Sequence, residues 1–140
     1  MHLYMIRKII NDLTPPLLKR IYKKKSVSSF KPEWVSLQGR LEGIELFMDP
    51  GTLLCKELVK GHDDFFYEII EGIKKSKADL TIYDIGAHMG YHTLGFAKYS
   101  GDGGRVYAFE PHPVNLERLR LNIERNREFS GKVIIKDIGI

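Results

Sequence analysis

From Asp84 to Gly90 the chain reads Asp-Ile-Gly-Ala-His-Met-Gly, gathering a carboxylate, two glycines and an imidazole in one short stretch. Gly86 lacks a Cβ and lets the backbone turn tightly beside a ligand, and Gly90 lets the element that follows sit close to it. If a helix starts there, its N-terminal N–H groups face the same space and suit a carboxylate or phosphate. Asp84 adds a fixed negative charge, which repels phosphate and attracts an ammonium or sulfonium, so a cationic amino-acid ligand is the better match. Glu110 follows 26 residues after Asp84. At the end of the next strand its carboxylate can accept both hydroxyls of a ribose, a job shared by several nucleoside-binding folds, so it points to a nucleoside without saying which. Pro111 and Pro113 stiffen the exit behind it. Asp137, at the end of a third strand, could meet an adenine amino group.

These residues converge only if the chain around them forms parallel strands. Leu80–Ile85 is a short apolar run of the kind found in a buried parallel strand, and the Gly86–Gly90 loop opens a helix carrying Leu94, Phe96 and Ala97. Gly101–Gly104 ends that helix, Arg105–Glu110 is a second strand, Pro113 starts a helix with Leu116, Leu119 and Ile123 inward, and Lys132–Asp137 is a third strand. Strands joined by helices in this order predict a right-handed α/β layer whose ligands bind beyond the carboxyl ends of the strands.

The chain before Leu80 is a lead-in. Trp34–Leu37 and Leu41–Phe47, divided by Gly39 and closed by Asp49-Pro50-Gly51, read as short strands. Asp63 or Asp64 can cap a helix with Phe66, Ile69, Ile70 and Ile73 on one side. In residues 1–25, Leu3, Ile6, Ile10 and Leu13 fall on one helical face before Pro15 and Pro16 stop it; Thr14-Pro15 then starts a second short helix that ends at Lys23–Lys25. The organisation read from sequence is a basic helical arm (1–25), a β/α lead-in (26–79) and a ligand-binding α/β layer (80–140).

The motifs of the third segment resemble the FkbM family of S-adenosylmethionine-dependent methyltransferases. The carriers are Tyr83 through Tyr91, Gly104 through Pro113, and Leu119 through Asn122 with Asn126 at the helix end. The resemblance spans about residues 80–140, with a looser likeness from Gly39 onward. It implies a Rossmann-like sheet, of which these are the first three strands, with S-adenosyl-L-methionine as cofactor. Asp84, Gly86, Ala87, His88 and Gly90 would surround the methionine moiety, Glu110 would hold the ribose and Asp137 would stand near the adenine. The family's usual role is O-methylation of a small molecule or glycan. His88 stands where such sequences often carry asparagine, and no catalytic role is assigned to it.

Other readings are weaker. A nicotinamide-dependent oxidoreductase needs G-x-G-x-x-G, and Ala87-His88 occupies the place of the second glycine. His88 and His92 lie one helical turn apart with His112 further on, but no glutamate lies between the first two and no cysteine cluster supports a site, so no metal is expected. His62, His2 and Cys55 read as structural. An alcohol acceptor would need a base or metal to take its proton, and the sequence offers no candidate.

The net charge of +4 belongs to the arm: residues 1–25 hold seven basic side chains against Asp12 alone, while 26–140 hold 15 basic and 17 acidic. A slightly acidic body argues against nucleic acid as a partner. The arm could instead touch an anionic membrane surface, which makes a non-enzymatic surface or partner-binding module the second alternative. An apolar fraction of 43% and one cysteine fit a folded protein of a reducing, cytoplasmic setting. Because sheets of this type normally place a fourth strand beside the first, the chain is expected to be the N-terminal portion of a larger enzyme, binding the cofactor weakly and not turning over.

Overall fold

A computed structural model describes residues 31–139, which fall within one compact unit; the helical arm predicted for residues 1–25 lies outside them. Strands β1 (Glu33–Ser36) and β2 (Glu45–Met48) form an antiparallel pair joined through a 3₁₀ turn at Gly39–Leu41. Helices α1 (Leu53–Lys60) and α2 (Phe65–Lys74) follow, then β3 (Thr81–Ile85), α3 (Tyr91–Tyr99), β4 (Arg105–Phe109), α4 (Pro113–Arg125), the short α5 (Arg127–Ser130) and β5 (Val133–Lys136). The sheet order is β3-β4-β5, all parallel, with Ile82 beside Val106 and Val106 beside Val133. The α/β architecture is the one expected, with each strand one residue or two shorter than the apolar run suggested.

Alternation divides the sheet. Val106 and Ala108 are buried, with Ile82, Val133 and Ile135 packed against the same core that holds Leu94, Ala97, Leu116, Leu119 and Ile123. Residues 83, 85, 107 and 109 point the other way, as the two-residue period of a strand requires. Tyr83 and Tyr107 stack there at 5.3 Å, and Tyr83 and Ile85 are 62% and 64% exposed.

Helix α4 buries Leu116, Leu119 and Ile123 as its spacing predicts, with Pro113 in its first turn. Helix α2 departs from expectation. It buries Tyr67 and Ile70, leaving Phe65, Ile69 and Ile73 exposed and Phe66 partly so. Neither aspartate caps it: Asp63 takes a left-handed φ of 57°, Asp64 is already helical and makes no cap bond, and its Oδ1 is buried without a partner. The cap that does form is Thr52, whose Oγ1 accepts from the Cys55 N–H at the start of α1.

The β1–β2 pair is tied to α4 by two asparagines. Asn122, fully buried, accepts from the Phe47 N–H at 2.8 Å and donates to the Met89 carbonyl at 2.8 Å. Asn126 accepts from the Glu45 N–H and donates to the Glu45 carbonyl, so one amide replaces a missing strand neighbour. Buried amides of this kind hold position because leaving any of the four groups unpaired costs about 1–3 kcal/mol. Through Asn122 the lead-in reaches the Gly86–Gly90 loop.

Candidate functional site

The loop between β3 and α3 is built on left-handed backbone. Gly86 has φ 84°, His88 51° and Gly90 94°. A Cβ at Gly90 would stand 2.7 Å from Leu119 Cδ1, so that glycine allows α4 to close against the start of α3. At Gly86 a Cβ would meet nothing within 4 Å, so the demand there is conformational and the space beside the backbone stays open. The left-handed φ of His88 is one that His, Asn and Asp adopt more readily than other side chains.

Glu110 anchors the loop. Its Oε2 accepts from the His88 N–H at 2.8 Å, and its Oε1 accepts from the His112 N–H at 2.8 Å and from Asn115 Nδ2 at 3.4 Å. Burial works against the charged form, but these donors outweigh it and hold the carboxyl below the usual carboxylate range. Asp84 lies under the same loop, 9% exposed, and accepts from Thr93 Oγ1 at 2.5 Å. Its carboxyl is pushed up by burial, against the Thr93 bond and the nearby His92.

The structure therefore brings Asp84, Gly86, Ala87, His88, Gly90 and Glu110 to one end of the sheet. It also changes what the loop can offer. The N–H groups of Gly86 and Ala87 both donate to the Phe109 carbonyl, that of His88 to Glu110 and that of Gly90 to Ala87. These donors are spent on the fold, so the loop is no general anion cradle. Asp137 is exposed, just past the end of β5.

Two cavities meet at Gly86. One, about 140 Å³, is walled by Leu54, Leu58, Asp84, the 86–89 loop, Tyr91 and His92. The other, about 220 Å³, lies against Ile85, Phe109, Pro111, Ile138 and Gly139 on the open side of the sheet. Both are largely apolar, and the first carries Asp84 and His92 among its wall residues.

The sequence reading missed a cluster at the first cavity. Tyr67 Oη lies 3.2 Å from His92 Nδ1, while His92 Nε2 and His62 Nε2 stand 3.8 Å and 3.1 Å from the same Asp63 Oδ2. Burial holds the His92 imidazole below its ordinary range, opposed by Asp84 and Asp63 and reinforced by His62. Gly95 makes this arrangement fit, because a Cβ there would stand 2.5 Å from the Tyr67 ring and hydroxyl. A glycine inside an otherwise regular helix was the available signal. Among the described residues no group of three or more His, Cys, Asp or Glu could hold a metal ion, and none of their helices is long and apolar enough to cross a membrane.

No curated protein matches the chain. Among solved structures, P. horikoshii TYW2 in complex with MeSAdo is similar over 79% of this chain and 37% of its own, at 20% identity and a TM-score of 0.53. M. jannaschii TYW2 in complex with AdoMet is similar over 77% of this chain and 43% of its own, at 23% identity and a TM-score of 0.51. The chain thus spans well under half the length of either, and the likeness establishes a common Rossmann-like fold. Residues 84–137 match the model described as the methyltransferase FkbM domain, so this segment is similar to that family.

Proposed function

We propose that the protein binds S-adenosyl-L-methionine at the Gly86 loop and serves methyl transfer to an oxygen of a small molecule or glycan in the cytoplasm. The observation that carries this reading is the convergence of Asp84 and Glu110 beneath one glycine turn whose flank is open. Both TYW2 structures that share the fold are complexes with molecules of this cofactor class, which favours it over a nicotinamide cofactor.

The residues fit the group. Asp84 places a carboxylate in the wall of the first cavity, where an ammonium or sulfonium would return some of the energy lost in burying that charge. Glu110 has three donors on a carboxylate with about four lone-pair sites, so it retains capacity for a ribose hydroxyl. Phe109, Pro111 and Ile138 offer an apolar wall for a purine in the second cavity, with Asp137 beside it in sequence. When bound, the cofactor supplies an electrophilic methyl carbon on sulfur; the chain's own task is to orient that methyl and keep water away from it.

Amide NMR spectra recorded with millimolar S-adenosylmethionine test the reading and register even weak binding. Shifts centred on Gly86–Gly90 and on Glu110–His112 are expected, and Glu110→Ala should weaken binding by ~1–3 kcal/mol, the worth of charged hydrogen bonds. Unmoved loop amides would remove the proposal.

A further inference from the structure

We propose that His92 accepts the acceptor's proton during methyl transfer, with Asp63 stabilising the imidazolium that forms. This inference rests on the cofactor reading above and supplies the base that the sequence did not reveal. Asp84, assigned to the cationic end of the cofactor, shares the first cavity with His92, while the assigned purine wall lines the other. His92 is therefore an imidazole in the same cavity as the carboxylate assigned to the sulfonium end.

The ring is held for such a role. Phe66, Tyr91 and Phe96 pack around it, with Phe96 stacked at 5.7 Å. Nδ1 is engaged by Tyr67, and with Nδ1–H donating to that hydroxyl, Nε2 carries the free lone pair. At 3.8 Å, Asp63 is too far to hydrogen-bond Nε2 but near enough to stabilise a positive charge on it. The charged and titratable groups facing His92 are Asp63, His62 and Tyr67 from α2 and the turn before it, Asp84 from β3, and Tyr91 on its own helix. Burial favours the neutral imidazole, the form that can take a proton.

The step balances without a metal or oxidant. An alcohol oxygen bonds to the methyl carbon as its O–H proton passes to Nε2; the C–S bond breaks and its electron pair leaves on sulfur, giving an ether, a neutral thioether and imidazolium. Water then removes the imidazolium proton. Leu54 and Leu58 form an apolar part of the cavity wall.

The test follows the His92 Cε1–H resonance through about pH 5 to 8 in the intact chain, alone, with S-adenosylhomocysteine and with S-adenosylmethionine. The two ligands differ by the methyl and its sulfonium charge. If Nε2 faces that methyl, the titration midpoint falls by about half to one pH unit more with the sulfonium than with the thioether. In Asp63→Asn the midpoint of the free protein falls below that of the wild type, because an opposing negative charge has gone. Loop amides that shift with both ligands while His92 titrates identically would overturn the base assignment and leave the cofactor reading standing. A midpoint unchanged by Asp63→Asn would also overturn it. Loop amides that move with neither ligand would overturn both.

Discussion

The two faces of the parallel sheet are made from the same three strands, yet among the described residues only one of them is covered by helices. On the face beneath α3 and α4, Val106, Ala108, Leu94 and Leu119 are sealed from solvent, and Asp84 is buried with its hydroxyl partner. On the opposite face Tyr83 and Ile85 stand mostly in solvent. The difference shows where the site gets its precision. Helix packing on the covered face fixes Gly90, Thr93 and the ring of His92; the open face contributes apolar area to a ligand but little that orients one.

Mutations should separate the faces. Leu119→Ala, at the point where α4 meets Gly90, should cost ~2–5 kcal/mol by leaving a cavity, read by denaturant unfolding. Asn122→Ala should come next, at ~1–3 kcal/mol, because it strands the Phe47 N–H and the Met89 carbonyl. Its loop amides should also exchange faster with solvent, which a purely local loss would not cause.

Asp84→Asn should act in the opposite direction. The carboxyl titrates above its ordinary range when folded, so its favourable contribution is complete below the unfolded pKa and is lost as pH rises through the folded one. At neutral pH the amide, which can still accept from Thr93, should raise the Tm, and the gain should vanish in acid. Glu110 behaves inversely: its stabilisation is present above the unfolded carboxylate pKa and lost as pH falls through the lower folded value. The smallest effect belongs to the open face, where Tyr83→Thr should stay within ~0.5 kcal/mol. A larger loss there would mean that the open face is as strongly coupled to the fold as the covered one.

Much of this was legible in the chain. Apolar runs at strand spacing and the i, i+3, i+7 pattern of Leu116, Leu119 and Ile123 marked the layer, since burial on a regular element leaves a periodic trace. Of the stripe Phe66, Ile69, Ile70 and Ile73 read onto α2, only Ile70 is buried; Tyr67 faces inward instead, where Gly95 leaves room. Hydrophobicity alone does not register such a fit between two helices. His62, Asp63 and His92 were scattered letters for the same reason, since their proximity is created by α2 packing on α3.

By itself, then, the order of residues determined the β3–α3–β4–α4–β5 layer and the placing of a carboxylate at the end of β3 and another beyond β4, because strand period and glycine turns are local properties. Tertiary structure decided which amides remained available, that Glu110 is a staple as well as an acceptor, and that an imidazole stands beside Asp84. Those outcomes depend on contacts between segments distant in sequence, whose geometry exists only after the helices have closed over one face of the sheet.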